Sequence, residues 1–233
     1  MAYVALTRDP GKDAALIQKL DQAGIPHQSV PLLKHARGPD HDKLGDRLRE
    51  RWDWVIVTSP TAASFLLDAW EQAGKPGLRV AAIGKGTSRA LAAGGMPVAY
   101  TSPQAYGVSL ATDLGGAGRV LWPTSALAGS GMEKILSERG FKLTRLNVYQ
   151  TLPRRLSQKD RLTLSVAKVA ALASPSAVRA WAEATSARPP VAAIGRVSAQ
   201  AALNAGFEQV WFPENPGIEG WAEVIADVYQ RVS

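Results

Sequence analysis

The chain has no cysteine, which excludes disulfides and thiolate metal sites. It has three histidines, His27, His35 and His41. Their spacing is not that of metal ligands, so surface placement is expected and no metal site. No apolar run approaches the roughly 20 residues of a membrane span. The opening MAYVALTRDPGKD lacks a basic segment followed by a long apolar one, so no signal peptide, no membrane and a cytoplasmic location are expected. Acidic residues are the minority: 27 Lys and Arg face 20 Asp and Glu, a net charge of +7. That balance favours anionic partners. Yet no basic run of about five or six residues occurs, as a polybasic tract would require. Known phosphate loops are missing too. The stretch GKGTSRA is neither a P-loop nor a complete dinucleotide fingerprint, and no Gly-x-Ser-x-Gly elbow occurs.

What the chain does have is ample apolar material, 46% of 233 residues, enough for one large domain or two small ones. It also has a phrase written twice. VAAIGKGTSRALAAGG (80–95) returns as VAAIGRVSAQAALNAG (191–206), with Gly84 and Gly195 separated by 195 − 84 = 111 positions. Upstream, VIVTSPTAASF (55–65) returns as AALASPSAVRA (170–180), so Ser174 answers Ser59, 174 − 59 = 115 positions on. Further upstream Gly140 answers Gly24, 140 − 24 = 116 positions on. An offset of this size in constant order is an internal duplication too long for a solenoid repeat. Two similar lobes follow, and a ligand between lobes is a natural expectation.

Each copy alternates short apolar runs with helical patterns. YVALT (3–7), WVIVT (54–58), RVAAI (79–83), RVLWP (119–123), VAALA (169–173) and VAAI (191–194) suit buried parallel strands. KDAALIQKLDQAG and MEKILSERG have helical spacing and end at Gly24 and Gly140, candidate C-caps. The alternation predicts an α/β protein with helices on both faces of parallel sheets. In TSPTAASF and ASPSAVRAW, Ser59 and Ser174 are placed to cap helices, with Pro60 and Pro175 at the first helical position. In the repeated phrase, Gly84 turns the chain, Gly86 or Thr87 caps, and Gly195 and Ser198 repeat the arrangement. Such turns lie at the carboxyl ends of parallel strands, where open α/β sheets bind ligands. Free N–H groups there suit carboxylates or phosphates. Capping alone also accounts for these residue types.

Taken in order, several pieces resemble uroporphyrinogen-III synthases: LTR (6–8), WVIVTSPTA (54–62), AAIGKGTSRAL (81–91), LNVYQT (146–151), ALASPSAV (171–178) and AAIGRVSAQAAL (192–203). The resemblance implies two lobes interleaved in sequence. Lobe 1 would hold 1–34 and 154–233, lobe 2 38–149, and linker crossings would lie near 32–39 (LLKHARGP) and 148–155 (VYQTLPRR). It implies an active site in the cleft between lobes and a cofactor-free hydro-lyase reaction. Hydroxymethylbilane would close to uroporphyrinogen III with inversion of ring D and loss of water. Positioning would select this product over the type I isomer. The partner implied is a small molecule, a linear tetrapyrrole with eight carboxylates, handed over from hydroxymethylbilane synthase to a monomeric enzyme.

The resemblance also assigns residues. Tyr149, in the VYxT pattern, would hydrogen-bond or protonate the departing hydroxyl; a packed linker tyrosine is the other reading. Thr58, Ser59, Thr87, Ser174 and Ser198 match hydroxyl-bearing turns, together with Gly84, Gly86, Pro175, Ser176 and Gly195. Arg8, Lys85 and Arg196 are carboxylate candidates, although Arg8 equally suits pairing with an acidic neighbour. Two other readings stand beside this one. A two-lobed protein could bind an anionic polycarboxylate without chemistry. A nucleic-acid binder is suggested by net charge alone, but it would want clustered basic residues interleaved with aromatics. The seven tryptophans sit instead in apolar contexts such as WDWVIV and EGWAEVI, where core placement is expected.

Overall fold

Short hydrophobic runs form the central strands and most segments between strands form helices, in a computed structural model that describes residues 2–103, 107–215 and 217–232. In chain order the first elements are β1 (Val4–Leu6), α1 (Ala14–Gln22), β2 (His27–Ser29), β3 (Leu33–Arg37) and α2 (Leu44–Leu48). Then come β4 (Trp54–Val57), α3 (Pro60–Gln72), β5 (Val80–Ile83), α4 (Gly84–Ala93), β6 (Tyr100–Ser102) and α5 (Gly107–Asp113). The third stretch holds β7 (Gly118–Ser125), α6 (Gly131–Glu138), β8 (Phe141–Pro153) and α7 (Gln158–Ser165). The last holds β9 (Val169–Leu172), α8 (Pro175–Ala184), β10 (Val191–Ala193), α9 (Arg196–Asn204), β11 (Val210–Trp211) and α10 (Ile218–Val232).

The chain divides into two compact units. One is built from the stretch up to Lys34 together with that from Leu152 onward; the other is His35–Thr151. The first contains a five-stranded sheet in the order β11-β10-β9-β1-β2, parallel throughout. Its central strands β1, β9 and β10 bury both faces, so side chains alternate between two cores. Val4 and Leu6 pack with Leu16 and Leu20 of α1 and Trp221 and Ile225 of α10. Ala5 and Ala170 pack on the other side with Val178 and Trp181 of α8 and Ala202 of α9.

The second unit carries a six-stranded sheet in the order β3-β8-β7-β4-β5-β6. The β8-β7-β4-β5-β6 ladder is parallel. Val55 and Val57 face Leu44, Leu66 and Leu91, whereas Trp54 and Ile56 face Leu110, Met132 and Leu136. The segments joining the units are strands. β3 lies beside β8, with Arg154 N–H donating to Leu32 O at 2.8 Å and Gly38 N–H to Val148 O at 2.9 Å. Their Pro and Arg content does not announce this, because both lie towards the sheet edge, where alternation with solvent is permitted.

Local signals act as the residues suggest. Ser59 and Ser174 accept from Ala62 N–H (3.0 Å) and Ala177 N–H (3.1 Å), each with proline at the first helical position. Gly24 follows α1 at φ 65°, donating to Asp21 O, while Ile25 N–H reaches Leu20 O; this pair of bonds makes a Schellman ending. Gly140 ends α6 at φ 79°. Six tryptophans are buried and Trp211 is half-buried.

Candidate functional site

The parallel register of β4, β5 and β7 brings their carboxyl ends to one side of the second unit's sheet. Each then turns into the loop or helix that follows. After β4, Thr58 Oγ1 lies 3.4 Å from Trp122 Nε1. Ser59, extended at φ −156° and ψ 156°, caps α3 and also lies 3.1 Å from Tyr149 Oη. Tyr149 comes from β8 and is only 8% exposed. Phe65 of α3 stacks on its ring at 5.4 Å and 11°, and His35 meets it edge-on at 5.6 Å. The phenol is therefore held on both sides and at its hydroxyl. His35 is exposed, as expected, but it is part of this clasp; His27 and His41 are half-buried rather than on the open surface.

The β5–α4 turn corrects the expected capping. Helix α4 begins at Gly84 itself, preceded by Ile83 without a side-chain cap. Thr87 is buried within the first turn rather than ahead of it. Gly86 and Lys85 are exposed. Gly84 has φ 72°, the left-handed region that favours glycine. The repeated turn differs here. Gly195 sits at φ 179°, extended backbone that any residue adopts, and α9 starts at Arg196. Ser198 is buried like Thr87 and caps nothing.

In the first unit, Ser174 and Pro175 start α8, and Ser176 Oγ accepts from Arg179 Nη2 at 3.1 Å. Arg196 is exposed. Arg8 is engaged locally: its Nη1 is 3.3 Å from Asp13 Oδ1, and its guanidinium lies 5.7 Å from the Trp221 ring centre. The Asp13 carboxylate is fully buried, without a hydrogen bond from any described residue. Burial pushes its pKa up, the Arg8 guanidinium pulls it partly back, and Asp9 pushes it up again.

Beside these turns, the described residues of the second unit enclose hollows, of which two adjoin the residues above. One, about 310 Å³, is walled by Thr58, Ile83, Val108, Trp122 and Met132 and floored by glycines of the 128–131 loop. That loop carries no charge of its own. Arg145 of β8 ties it down, donating to Ala128 O at 2.9 Å and Ser125 O at 3.3 Å and pairing with Glu133 at 3.0 Å. The other hollow lies along α4 and contains Arg89, Ser88 and Thr101 beside Lys85. These three escaped the motif reading. Their one signal was the four-residue step from Lys85 to Arg89, which puts both cations on one helix face. Among the described residues, no group of three or more His, Asp or Glu stands close enough to hold a metal.

What this arrangement can do follows from its chemistry. In each unit taken by itself, helix starts and hydroxyls, with the exposed Lys85 in one and the exposed Arg196 in the other, suit carboxylates. The Tyr149 phenol, poised against Ser59, is a proton or hydrogen-bond donor. A family model described as uroporphyrinogen-III synthase HemD matches residues 14–223. A chloroplastic uroporphyrinogen-III synthase of Oryza sativa subsp. japonica is 39% identical over 242 residues, covering 96% of this chain and 80% of the relative. Two solved structures share the fold. Uroporphyrinogen-III synthetase from Helicobacter pylori has a TM-score of 0.73 at 16% identity, covering 98% of this chain and 100% of that one. A mutant uroporphyrinogen III synthase from the extremely thermophilic bacterium Thermus thermophilus has a TM-score of 0.63 at 19% identity, covering 99% and 100%.

Proposed function

The chain belongs to the uroporphyrinogen-III synthase family, and from that premise we propose that it cyclises hydroxymethylbilane to uroporphyrinogen III, inverting ring D and releasing one water. A binding protein without chemistry is not favoured beside that membership.

The observation that carries the chemistry on this chain's own residues is the 3.1 Å contact between Tyr149 Oη and Ser59 Oγ. In the proposed reaction, Tyr149 Oη donates a hydrogen bond or proton to the substrate's terminal hydroxyl. The adjacent pyrrole nitrogen supplies the electron pair and the hydroxyl departs as water. Ser59 Oγ, held by the Ala62 N–H, donates in turn to Tyr149 Oη and supports the developing charge. The resulting azafulvene cation is attacked by ring D, first at the substituted position to give the spiro centre. Rearrangement and closure follow, and the proton lost on rearomatisation balances the one supplied. The enzyme's larger task is to hold one folded shape of the substrate, since an unguided chain closes to the type I isomer.

The carboxylates provide the handles. Lys85, Gly86, Ser176 and Arg196 are the groups proposed to meet them directly, beside the turns at Thr58, Ser59, Gly84, Ser174, Pro175 and Gly195. Thr87 and Ser198 shape those turns from inside their helices. Arg8 contributes through the turn after β1, anchored by Asp13. The substrate is received from hydroxymethylbilane synthase, and the enzyme works as a monomer in the cytoplasm. Among the described residues no helix is long and apolar enough to cross a membrane.

Complementation tests this reading. A haem-requiring bacterial strain lacking its own synthase is expected to grow without added haem when it expresses this chain. Expression of folded protein without recovery of growth would refute the assignment.

A further inference from the structure

Beside α4 lies a cavity of about 460 Å³ walled by Lys85, Ser88, Arg89, Thr101, Ser102 and Pro103. Lys85 and Arg89 are exposed, and no described residue pairs with either cation. No carboxylate lines the cavity among the described residues. Thr101 Oγ1 donates to Ser88 Oγ at 3.1 Å. That bond uses the Thr101 hydrogen and leaves the Ser88 O–H to point elsewhere. Two cations and a spare hydroxyl donor therefore converge on one hollow without a negative charge to satisfy them.

The duplication supplies an internal contrast. Strand pairing keeps the offset of 111 through this region, since Ala81 faces Tyr100 and Ala192 faces Trp211. Lys85 then corresponds to Arg196, but Ser88, Arg89 and Thr101 correspond to Ala199, Gln200 and Phe212. Gln200 is engaged with Asn204 at 3.1 Å, and Phe212 is 42% exposed. The second copy keeps the strand, turn and helix without this donor set. Building the βα turn does not demand Ser88, Arg89 and Thr101.

We propose that this cavity is an anion subsite, in which Arg89 forks onto a carboxylate or phosphate group, Lys85 supplies a second charge and Ser88 O–H a third donor. The occupant is either a carboxylate arm of the substrate or a free anion of the same chemistry. Only the substrate-arm case rests on the reading of the chain as a synthase. Arg89 is then a specificity-determining residue that grips the substrate away from the reacting carbons.

The test compares Arg89→Gln with Arg89→Lys and with Lys142→Gln. The last removes an equal charge from the exposed start of β8, at the amino end of the β7–β8 ladder. Steady-state kinetics on hydroxymethylbilane are run beside an NMR titration with inorganic phosphate, which reads the Arg89 Nε–H and the Ser88 and Thr101 amides without requiring turnover. A substrate arm predicts that Arg89→Gln raises KM roughly three- to tenfold, with a smaller change in kcat, as losing one partly exposed charged contact implies. Arg89→Lys then recovers part of the loss, and Lys142→Gln leaves KM unchanged. A free anion predicts unchanged KM, but saturable phosphate shifts at these three residues that Arg89→Gln abolishes. A folded Arg89→Gln with unchanged KM, and no phosphate shifts in the parent chain, overturns the subsite. If the parent chain makes no type III product, the synthase reading fails, and the phosphate titration still decides the cavity.

Discussion

Replacing Ser59 by alanine removes two hydrogen bonds at once, and the duplicated unit provides the control. Ser59 Oγ accepts from Ala62 N–H at 3.0 Å and contacts Tyr149 Oη at 3.1 Å. Its counterpart Ser174 makes the same cap with Ala177 N–H at 3.1 Å, and no described tyrosine reaches it. Losing a serine N-cap costs about 1 kcal/mol. Leaving the buried Tyr149 hydroxyl unpartnered adds about 1–2 kcal/mol. Ser174→Ala is therefore expected to cost about 1 kcal/mol and Ser59→Ala about 2–3 kcal/mol. Urea denaturation, followed by tryptophan fluorescence, measures both. A cycle with Tyr149→Phe isolates the shared bond, with an expected coupling of about 1 kcal/mol between positions 59 and 149. Equal costs for the two serine variants, together with additivity in the cycle, would show that Tyr149 is not held by Ser59, and the proton-donor geometry would fall with it.

Three further outcomes are expected. Tyr149→Phe keeps the stacking on Phe65 and folds, but lowers kcat by roughly a hundredfold, the scale of a lost general acid; a full rate would make Tyr149 a packing residue. Gly84→Ala costs about 1–2 kcal/mol because its φ is 72°. Gly195→Ala, at φ 179° with open space around the added methyl, stays within about 0.5 kcal/mol; equal effects in the two would contradict the difference between the turns. Asp13 has its folded pKa raised, chiefly by burial, so the folded state binds more protons than the unfolded one above the ordinary carboxylate range. Stability should therefore fall as pH rises from about 4 towards the raised folded value, and Asp13→Asn should flatten that slope; parallel profiles for the two proteins would refute it.

Much of this architecture is legible in the residues because it is local. A serine followed by proline after an apolar run can scarcely do anything but cap a helix, and both copies do so. Val-Ile-Val and Val-Ala-Ala runs bounded by turn residues form parallel strands in both units. What escaped is set by neighbours distant in sequence. The pattern FKLTRLNVYQTLP offers no clean alternation, since β8 lies between β7 and the short β3 and is only partly covered, so a 13-residue strand reads as a break. Thr87 and Ser198 look like caps because a hydroxyl follows a glycine, but each helix starts earlier and buries them. Tyr149's environment depends on Ser59, Phe65 and His35, residues about a hundred positions away that the sheet brings together. The step from Lys85 to Arg89 puts two cations on one helix face, but solvated helices carry such pairs routinely, and the cavity beside them is completed by Thr101 and Ser102 of β6.

The most direct test of the central claim is the isomer composition of the product. Hydroxymethylbilane is generated in situ by its deaminase with and without this protein, the porphyrinogens are oxidised, and type I and type III uroporphyrins are separated by chromatography. Predominantly type III is expected with the protein and type I in the blank. Type I in both, with the protein shown to be folded, would contradict the synthase reading.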